Sequence, residues 1–429
     1  MSEPVVVTGM GVVTPIGSSV DAFWSALIEG RSGVRTIRDF GVDDLGTRFA
    51  AQVPDDDYRS QVPTRVTRRV DRVVAMAHAA AAQAVAQSGL VDTTPPTRIG
   101  VCVGTSAGPL ATNAESGIVL AQSGPRELRR RLPYLAASGS IGGAAAEIAS
   151  AFDAEGPSLT VSTECASGAH AIGVATAMLR AGVADVMICG GSDATVTRLS
   201  MATISVVGAL SEENDDPAGA CRPFDVDRGG FVLGEGSAML VLETRAHARR
   251  RGARPIAEVV GFGSATDTFH ATAPDPDGRG AAAAMRAALA DADLDPAMIE
   301  LLSAHATGTR LNDPVELRAV REVFAEDAPS VPIYGIKPLT GHMVAAAGAV
   351  EIIALILSLR ERVVPATANC VRPIDDGLDI VRGANREIAA RRGMSTSFGF
   401  GGQCAALVVA LPDTAERAPW RHDDGGTSR

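Results

Sequence analysis

The chain has 429 residues, 46% hydrophobic and 21% charged, with 39 basic against 50 acidic side chains and a formal net charge of −11. Such proportions describe a globular protein with a large core, either two or three structural units or one two-lobed α/β body. The acidic balance excludes a general nucleic-acid binder, and no apolar run reaches the ~18 residues that span a bilayer. Along the chain, short β-branched runs alternate with alanine-rich helical stretches, the pattern of βα units and a largely parallel sheet. A strand is predicted at 5–8, helices at 22–29 and 66–88, and strands at 99–103 and 159–163. There follow a helix at 169–181, strands at 185–189, 238–243 and 257–263, and a helix at 280–292. A strand at 300–304, a helix at 314–324, a strand at 331–336 and a helix at 344–360 come next. The strands 394–398 and 404–410 flank Gly399-Phe400-Gly401-Gly402 and read as a hairpin. A break at 249–255 gives an expected division into 1–252 and 253–412, with a disordered tail at 413–429.

Six cysteines, at 102, 165, 189, 221, 370 and 404, show no Cys-x-x-Cys pairing. With no basic region ahead of Pro4-Val5-Val6-Val7, a reduced cytoplasmic setting is expected. Lys337 is the single lysine among 39 basic residues. Where arginine serves wherever a cation has only to be soluble, a surviving lysine marks either chance or a need for a compact ammonium with movable donors. Its neighbourhood, Gly335-Ile336-Lys337-Pro338-Leu339-Thr340-Gly341-His342, is a turn-rich loop carrying a histidine, which favours the second reading.

Cys165 lies in Thr160-Val161-Ser162-Thr163-Glu164-Cys165-Ala166-Ser167-Gly168, where a strand ends, small residues permit a sharp turn and a long helix begins. A thiol held at a helix N-terminus has its thiolate favoured by unpaired N–H groups and the dipole. A buried structural cysteine is the competing reading, and Cys102 and Cys189, inside apolar strands, fit it better. His305 closes one predicted strand and His342 follows Thr340-Gly341, both at strand-to-helix turns, where parallel sheets place reactive groups. Zinc on Cys165, His305 and His342 is a weak alternative, because three separate loops lack local ligand spacing. Gly9-Met10-Gly11 is not a dinucleotide fingerprint, since position 14 is threonine and no acid ends a second strand.

With these positions in place, the chain from Val5 to about Leu411 resembles the β-ketoacyl-(acyl carrier protein) synthases, the ketosynthases of the thiolase-like fold. The resemblance is carried by Val7-Thr8-Gly9-Met10-Gly11-Val12-Val13-Thr14-Pro15, the Cys165 elbow, Arg222-Pro223-Phe224-Asp225 and Gly230-Phe231-Val232-Leu233-Gly234-Glu235-Gly236. His305-Ala306-Thr307-Gly308-Thr309, Lys337 with Gly341-His342, and Gly399-Phe400-Gly401-Gly402 complete it. It implies an α/β fold of two duplicated halves stacked as a five-layer α-β-α-β-α body. It implies Cys165 as the nucleophile that takes an acyl chain, with decarboxylative condensation onto a malonyl-type extender. His305 and His342 match the histidines that stabilise the enolate oxygen, Thr307 and Thr309 the threonines on the phosphopantetheine arm. Lys337 matches the lysine that orders the site, and Glu316 its acidic partner. The N–H groups of Cys165 and Phe400 would form the oxyanion hole, with Phe400 also gating the acyl pocket. Asn369 and Phe231 fall near the site. The resemblance implies no cofactor and no metal, since phosphopantetheine arrives on the acyl carrier protein. It implies a dimer through the Cys165 half, as a homodimer or with a homologous chain-length-factor subunit.

The histidine pair points to an elongating enzyme, whereas a Cys-His-Asn set would mark a priming one. Cys404 stands where a thiolase carries a second catalytic cysteine, but at the start of an apolar strand it reads as structural. A chain-length factor, the non-catalytic alternative, normally lacks the nucleophile that Cys165 supplies. Three departures stand out: Glu164 where the family usually has a small residue, Gln403-Cys404 in place of Thr-Asn, and Ala306 in place of glycine. A carboxylate beside the thiol would raise its pKa unless strand alternation turns Glu164 towards the dimer interface. Asn214-Asp215-Asp216-Pro217, His247-Ala248-Arg249-Arg250-Arg251-Gly252-Ala253 and Thr309-Arg310-Leu311-Asn312-Asp313 lean towards type II polyketide subunits over housekeeping fatty-acid enzymes. Carrier docking is expected at Arg65, Arg68, Arg69 and Arg72, spaced to share one helix face, and at Arg126, Arg129, Arg130 and Arg131. No contact with nucleic acid or membrane is expected.

Overall fold

The computed structural model describes residues 3–90 and 94–412; the expected tail lies outside the described residues. Ten strands form one sheet and are numbered here in chain order. They are β1 (Val5–Val13), β2 (Ile99–Gly104), β3 (Ser158–Val161), β4 (Val186–Asp193) and β5 (Gly236–Thr244). The second five are β6 (Ala257–Thr266), β7 (Leu302–Ser303), β8 (Ile333–Tyr334), β9 (Arg392–Gly399) and β10 (Gln403–Ala410). The spatial order is β8-β7-β9-β10-β6-β1-β5-β4-β2-β3.

This order contains a repeat that no short-period sequence pattern reveals. From the centre outwards one half runs β1-β5-β4-β2-β3 and the other β6-β10-β9-β7-β8. In both, the first two pairings are antiparallel and the last two parallel. Each strand of the first half thus has a counterpart five positions later. The halves join where Val5, Val6 and Val7 pair antiparallel with Val259, Glu258 and Ala257.

Seven helices matter for the site: α1 (Arg72–Ser88), α2 (Leu110–Arg131), α3 (Gly143–Ala151), α4 (Ser167–Arg180), α5 (Arg279–Ala292), α6 (Asn312–Phe324) and α7 (Ala347–Glu361). Every residue of α7 from Ala347 to Leu359 is buried, because its sequence is apolar on all sides except at Glu351 and Ser358. It packs against α4, and both touch strands of the two halves, forming the central layer. The main core gathers Ile172, Ala175 and Leu179 of α4 with Val350, Ile353 and Leu357 of α7 and the inner faces of both half-sheets. Outside it, α1 and α3 cover the first half-sheet, and α5 and α6 the second, each over its own apolar cluster. Strands covered on both faces read as continuous apolar runs, and all nine residues of β1 are buried.

The hairpin stands as expected, paired from Arg392↔Ala410 to Gly399↔Gln403. The expected helix 66–88 is two helices, Thr64–Thr67 and α1. Asp71 caps the second by accepting from Val73 N at 3.0 Å, and its other oxygen takes Thr112 N and Oγ1. A cap in mid-pattern ended the period that the apolar spacing seemed to continue. Helices α2 and α3 were not anticipated: α2 buries only Val119, so its sequence carries almost no apolar stripe.

Candidate active site

After β3 the chain turns through residues 164–166 directly into α4. Ser167 Oγ ties the turn, accepting from Thr163 N at 2.8 Å and donating to Glu164 O at 2.6 Å. Cys165 is thereby held ahead of a helix N-terminus at 7% exposure. Gly168 permits the next step, because a Cβ there would lie 2.5 Å from Ala345 O. That close approach brings the loop after β8 over the turn, and His342 Nε2 sits 3.1 Å from Cys165 Sγ.

His342 is fixed by its backbone: its N–H donates to Val232 O at 2.7 Å and its carbonyl accepts from Gly234 N at 2.9 Å. Just beyond it Val344 is left-handed at φ 44°, a costly conformation for a β-branched residue. Asp193, at the end of β4 and wholly buried, holds the strained turn by accepting from Ala345 N at 2.8 Å. Thr105 Oγ1 and Ser106 Oγ donate to the same carboxylate at 2.9 and 2.7 Å. Asp193 was not singled out from the sequence, although an acid closing the apolar run Val186-Met187-Ile188-Cys189-Gly190-Gly191 was its signal.

His305 follows β7, its ring centroid 5.2 Å from that of His342 and 5.6 Å from that of Phe398. Glu316 accepts from His305 N at 2.7 Å, Ala306 N at 2.8 Å and Thr396 Oγ1 at 2.9 Å. It anchors the backbone under His305 and is not the partner of Lys337. The ammonium instead pairs with Glu351 of α7, both side chains buried, and donates to His305 O. It also faces His305 Nδ1 at 3.4 Å. The expected Lys337–Glu316 pair is therefore corrected to Lys337–Glu351. An acid set within an apolar helical run and a lone lysine in the chain were the readable signs of that pair.

Burial pushes the Cys165 thiol up to about 12, with Glu164 adding to the rise and Lys337 opposing it. His305 is driven well below the ordinary histidine range by burial, then by the Lys337 and His342 charges. His342 is likewise lowered by burial and Lys337. These shifts favour the neutral forms of the thiol and of both imidazoles, with His342 against the thiol and His305 beside His342.

A cavity of about 210 Å³ ends on Cys165, His305 and His342, and Thr307, Thr309 and Phe400 line it. Thr307 Oγ1 and Thr309 Oγ1 are 3.0 Å apart, and Asp313 accepts from Gly308 N at 3.2 Å within their loop. Phe231, with its ring 5.2 Å from that of His342, belongs to the lining. Asn369 lies away from it, donating to Ala218 O and Cys221 O at 2.9 Å. Cys404 reaches the cavity wall but is 5% exposed, donates to Gly402 O at 3.5 Å and has its thiol pushed up to about 12 by burial. Ala306 is left-handed at φ 46°, so replacing the usual glycine there is a strained choice. Among the described residues no group of three His, Cys, Asp or Glu is arranged to hold a metal ion.

The docking arginines do not form the expected stripe. Arg65, Arg68 and Arg69 are exposed around the break between two helices, while Arg72 turns inward and binds Glu235 at 2.6 Å. Arg126, Arg129, Arg130 and Arg131 lie in the last turns of helix α2, ahead of a short helix at Leu135–Ser138; Arg130 pairs with Glu127 at 2.9 Å.

Residues 2–248 match the beta-ketoacyl synthase N-terminal domain, and residues 256–371 the C-terminal domain. This chain belongs to the β-ketoacyl synthase family. The ketosynthase is 38% identical over 409 residues to 3-oxoacyl-[acyl-carrier-protein] synthase 2 of Coxiella burnetii, covering 95% of this chain and 98% of the relative. A polyketide beta-ketoacyl synthase 1 of Streptomyces cyaneus is 37% identical, over 97% and 100% of the two chains. A type II polyketide ketosynthase solved with its acyl-carrier protein and bound to the hexaketide superposes with a TM-score of 0.87 at 31% identity, over 96% of this chain and 100% of that one. The fold is the five-layer thiolase-like α/β fold, and the ketosynthase is an acyltransferase of the β-ketoacyl-(acyl carrier protein) synthase class.

Proposed function

We propose that this ketosynthase elongates an acyl chain bound to Cys165 by decarboxylative condensation with a malonyl-type extender delivered on acyl carrier protein. The observation that carries the reading is the 3.1 Å contact between Cys165 Sγ and His342 Nε2 at the buried end of a cavity that also receives His305. As Sγ attacks the incoming thioester carbonyl, its proton passes by way of His342 to the departing pantetheine sulfur. The new Sγ–C bond replaces the old S–C bond, and the N–H groups of Cys165 and Phe400 steady the oxyanion. In the second half, the extender's C–CO₂ bond breaks and its electrons enter an enolate. The Lys337 ammonium beside His305 Nδ1 makes that nitrogen the acceptor, so His305 Nε2 carries the proton and donates to the enolate oxygen. Once Sγ is acylated, His342 in the tautomer that carries its hydrogen on Nε2 donates to the same oxygen. The enolate carbon attacks the Cys165 thioester, and Sγ leaves as thiolate.

Thr307 and Thr309 would hold the pantetheine arm, which arrives with its carrier, so no resident cofactor is invoked. Exposed Arg65, Arg68, Arg69 and Arg129 form no ion pair among the described residues and, with Arg130, offer an acidic carrier a local basic surface. The relatives divide between fatty-acid and polyketide enzymes; the sequence segments around Asn214 and His247 favour a polyketide or other specialised chain. The partner subunit is a second copy or a homologous chain-length-type subunit, bound on the Cys165 half in a reduced cytoplasm. Intact-mass analysis after exposure to an acyl-carrier thioester is the test. One acyl group should appear on the native chain and none on Cys165→Ala; labelling that survives in the variant refutes the role of Cys165.

A further inference from the structure

The cavity has a floor and a rim. Cys165, His305 and His342 at one end are buried, whereas His270 and Leu311 of the same lining are exposed, Leu311 at 59%. A pantetheine thioester that brings its carbonyl to Cys165 fills the space between them with a neutral chain of amides and methylenes. The first charged group on such an arm, its phosphate, comes to rest at the rim.

A cation waits there. Arg310 stands between Thr309 and Leu311, both of the lining, and is exposed. Among the described residues its guanidinium makes no hydrogen bond or ion pair. The loop that carries it is braced from behind by Arg228, which donates to Thr309 O at 2.9 Å, Asp225 O at 3.1 Å and Arg310 O at 3.2 Å. Two guanidiniums thus share one loop. Its acid, Asp313, is buried and turned inward, accepting from Phe224 N at 2.8 Å and Gly308 N at 3.2 Å. Helix α6 begins at Asn312 without a side-chain cap, so its positive end adds to the same field. Asp267 and His270, also in the lining, are engaged with backbone. Asp267 accepts from Phe269 N at 2.9 Å and Asp275 N at 2.7 Å, and His270 Nδ1 accepts from Thr272 N at 3.1 Å and Ala273 N at 3.2 Å. In a chain of net charge −11, the Arg310 loop is a local concentration of positive charge.

We propose that Arg310 forms a phosphate site at the cavity rim, taking the phosphate of a phosphopantetheine arm whose thioester lies at Cys165. A planar guanidinium can donate two parallel hydrogen bonds to such a group. The inference rests on the reading of Cys165 as the acyl-carrying nucleophile, and one experiment separates the two. It follows Cys165 acylation by mass, over a range of concentrations, with hexanoyl-pantetheine and hexanoyl-phosphopantetheine. The native chain should half-saturate with the phosphorylated thioester at a concentration about fivefold or more lower, at a similar maximal rate, because the phosphate lies far from the reacting bonds. Added salt should shrink that gap. Arg310→Ala should bring the two concentrations within about twofold by losing on the phosphorylated thioester, and Arg310→Lys should keep part of the gap, having the charge without the fork. Equal native values, or a gap unchanged in Arg310→Ala, overturn the site. So does an equal loss on both thioesters, which would make Arg310 a brace of the Thr309 loop. A carrier protein and coenzyme A both present this phosphate, and the hexanoyl thioester that loses more affinity in Arg310→Ala identifies the source. Acylation of Cys165 by none of these thioesters overturns the nucleophile reading itself.

Discussion

Lys337 joins three functions at one atom: it neutralises Glu351, holds the His305 carbonyl and directs the His305 tautomer. An arginine keeps the charge but not the compact, rotatable ammonium, and its planar fork does not fit a site closed on all sides. Lys337→Arg should cut malonyl-thioester decarboxylation by ~10²-fold or more, the scale of a lost oxyanion donor, while Cys165 acylation falls less. Comparing the two half-reactions checks it, and native decarboxylation would return the lysine to a structural role. Removing Glu351 as Glu351→Ala leaves a buried ammonium without its partner and should destabilise the fold by about 3–5 kcal/mol, read from denaturant midpoints. The histidines set the pH behaviour. Both are held below the ordinary value, so they stay neutral in the folded chain while unfolded histidines gain protons below about pH 6.5. The unfolded state then binds more protons, and stability is lost as pH falls from about 6.5 towards the folded values. Tm should decline over that window in the native protein and less steeply in His305→Ala relative to its own value at pH 8.

At the scale of elements, the site depends on how closely α4 and the segment leading into α7 approach. Gly168 and Ala345 meet backbone to backbone, and the same contact places His342 on Cys165. Gly168→Ala should cost about 1–3 kcal/mol by overpacking and lower acylation as His342 moves off the thiol, both measurable on the purified variant. Helices with caps and strong apolar faces were legible in the sequence, as were the strand-to-turn positions of Cys165, His305 and His342. The break at Asp71 was hidden because Val66, Val70 and Val73 keep helical spacing across a real interruption, two of them buried and one half-buried. Glu351 fills the role expected of Glu316. The resemblance made Glu316 the partner of Lys337, but Glu316 spends its oxygens on the backbone under His305, and the ammonium takes the carboxylate of α7, the helix that begins ten residues after it. Asp193 was missed because its bonds are to backbone and hydroxyls, which leave no pattern of complementary charge.

At the scale of the molecule, the repeated half-sheets end differently. The outer strand of the second half, β8, is buried, whereas its counterpart β3 is the sheet's other edge and leaves Ser158 and Leu159 exposed. A bare edge strand is a template for another chain. Around the same half lie exposed Ile118 and Leu120 of α2, Tyr134 and Ile141, a set of apolar side chains unusual for a surface that faces only water. Helix α2 itself buries a single residue in the lone chain, which leaves most of its surface open to a partner. A partner seated there would cover the apolar set and steady the Cys165 turn, which starts three residues after β3 ends. The native protein should therefore elute well above the 44.0 kDa of one chain. Leu159→Lys, a charge on the edge strand, should drive it towards a monomer and lower Cys165 acylation together. An active native monomer would contradict this reading of the edge. A chain that is monomeric or aggregated alone but assembles with a homologous subunit would assign the same surface to a heterodimer.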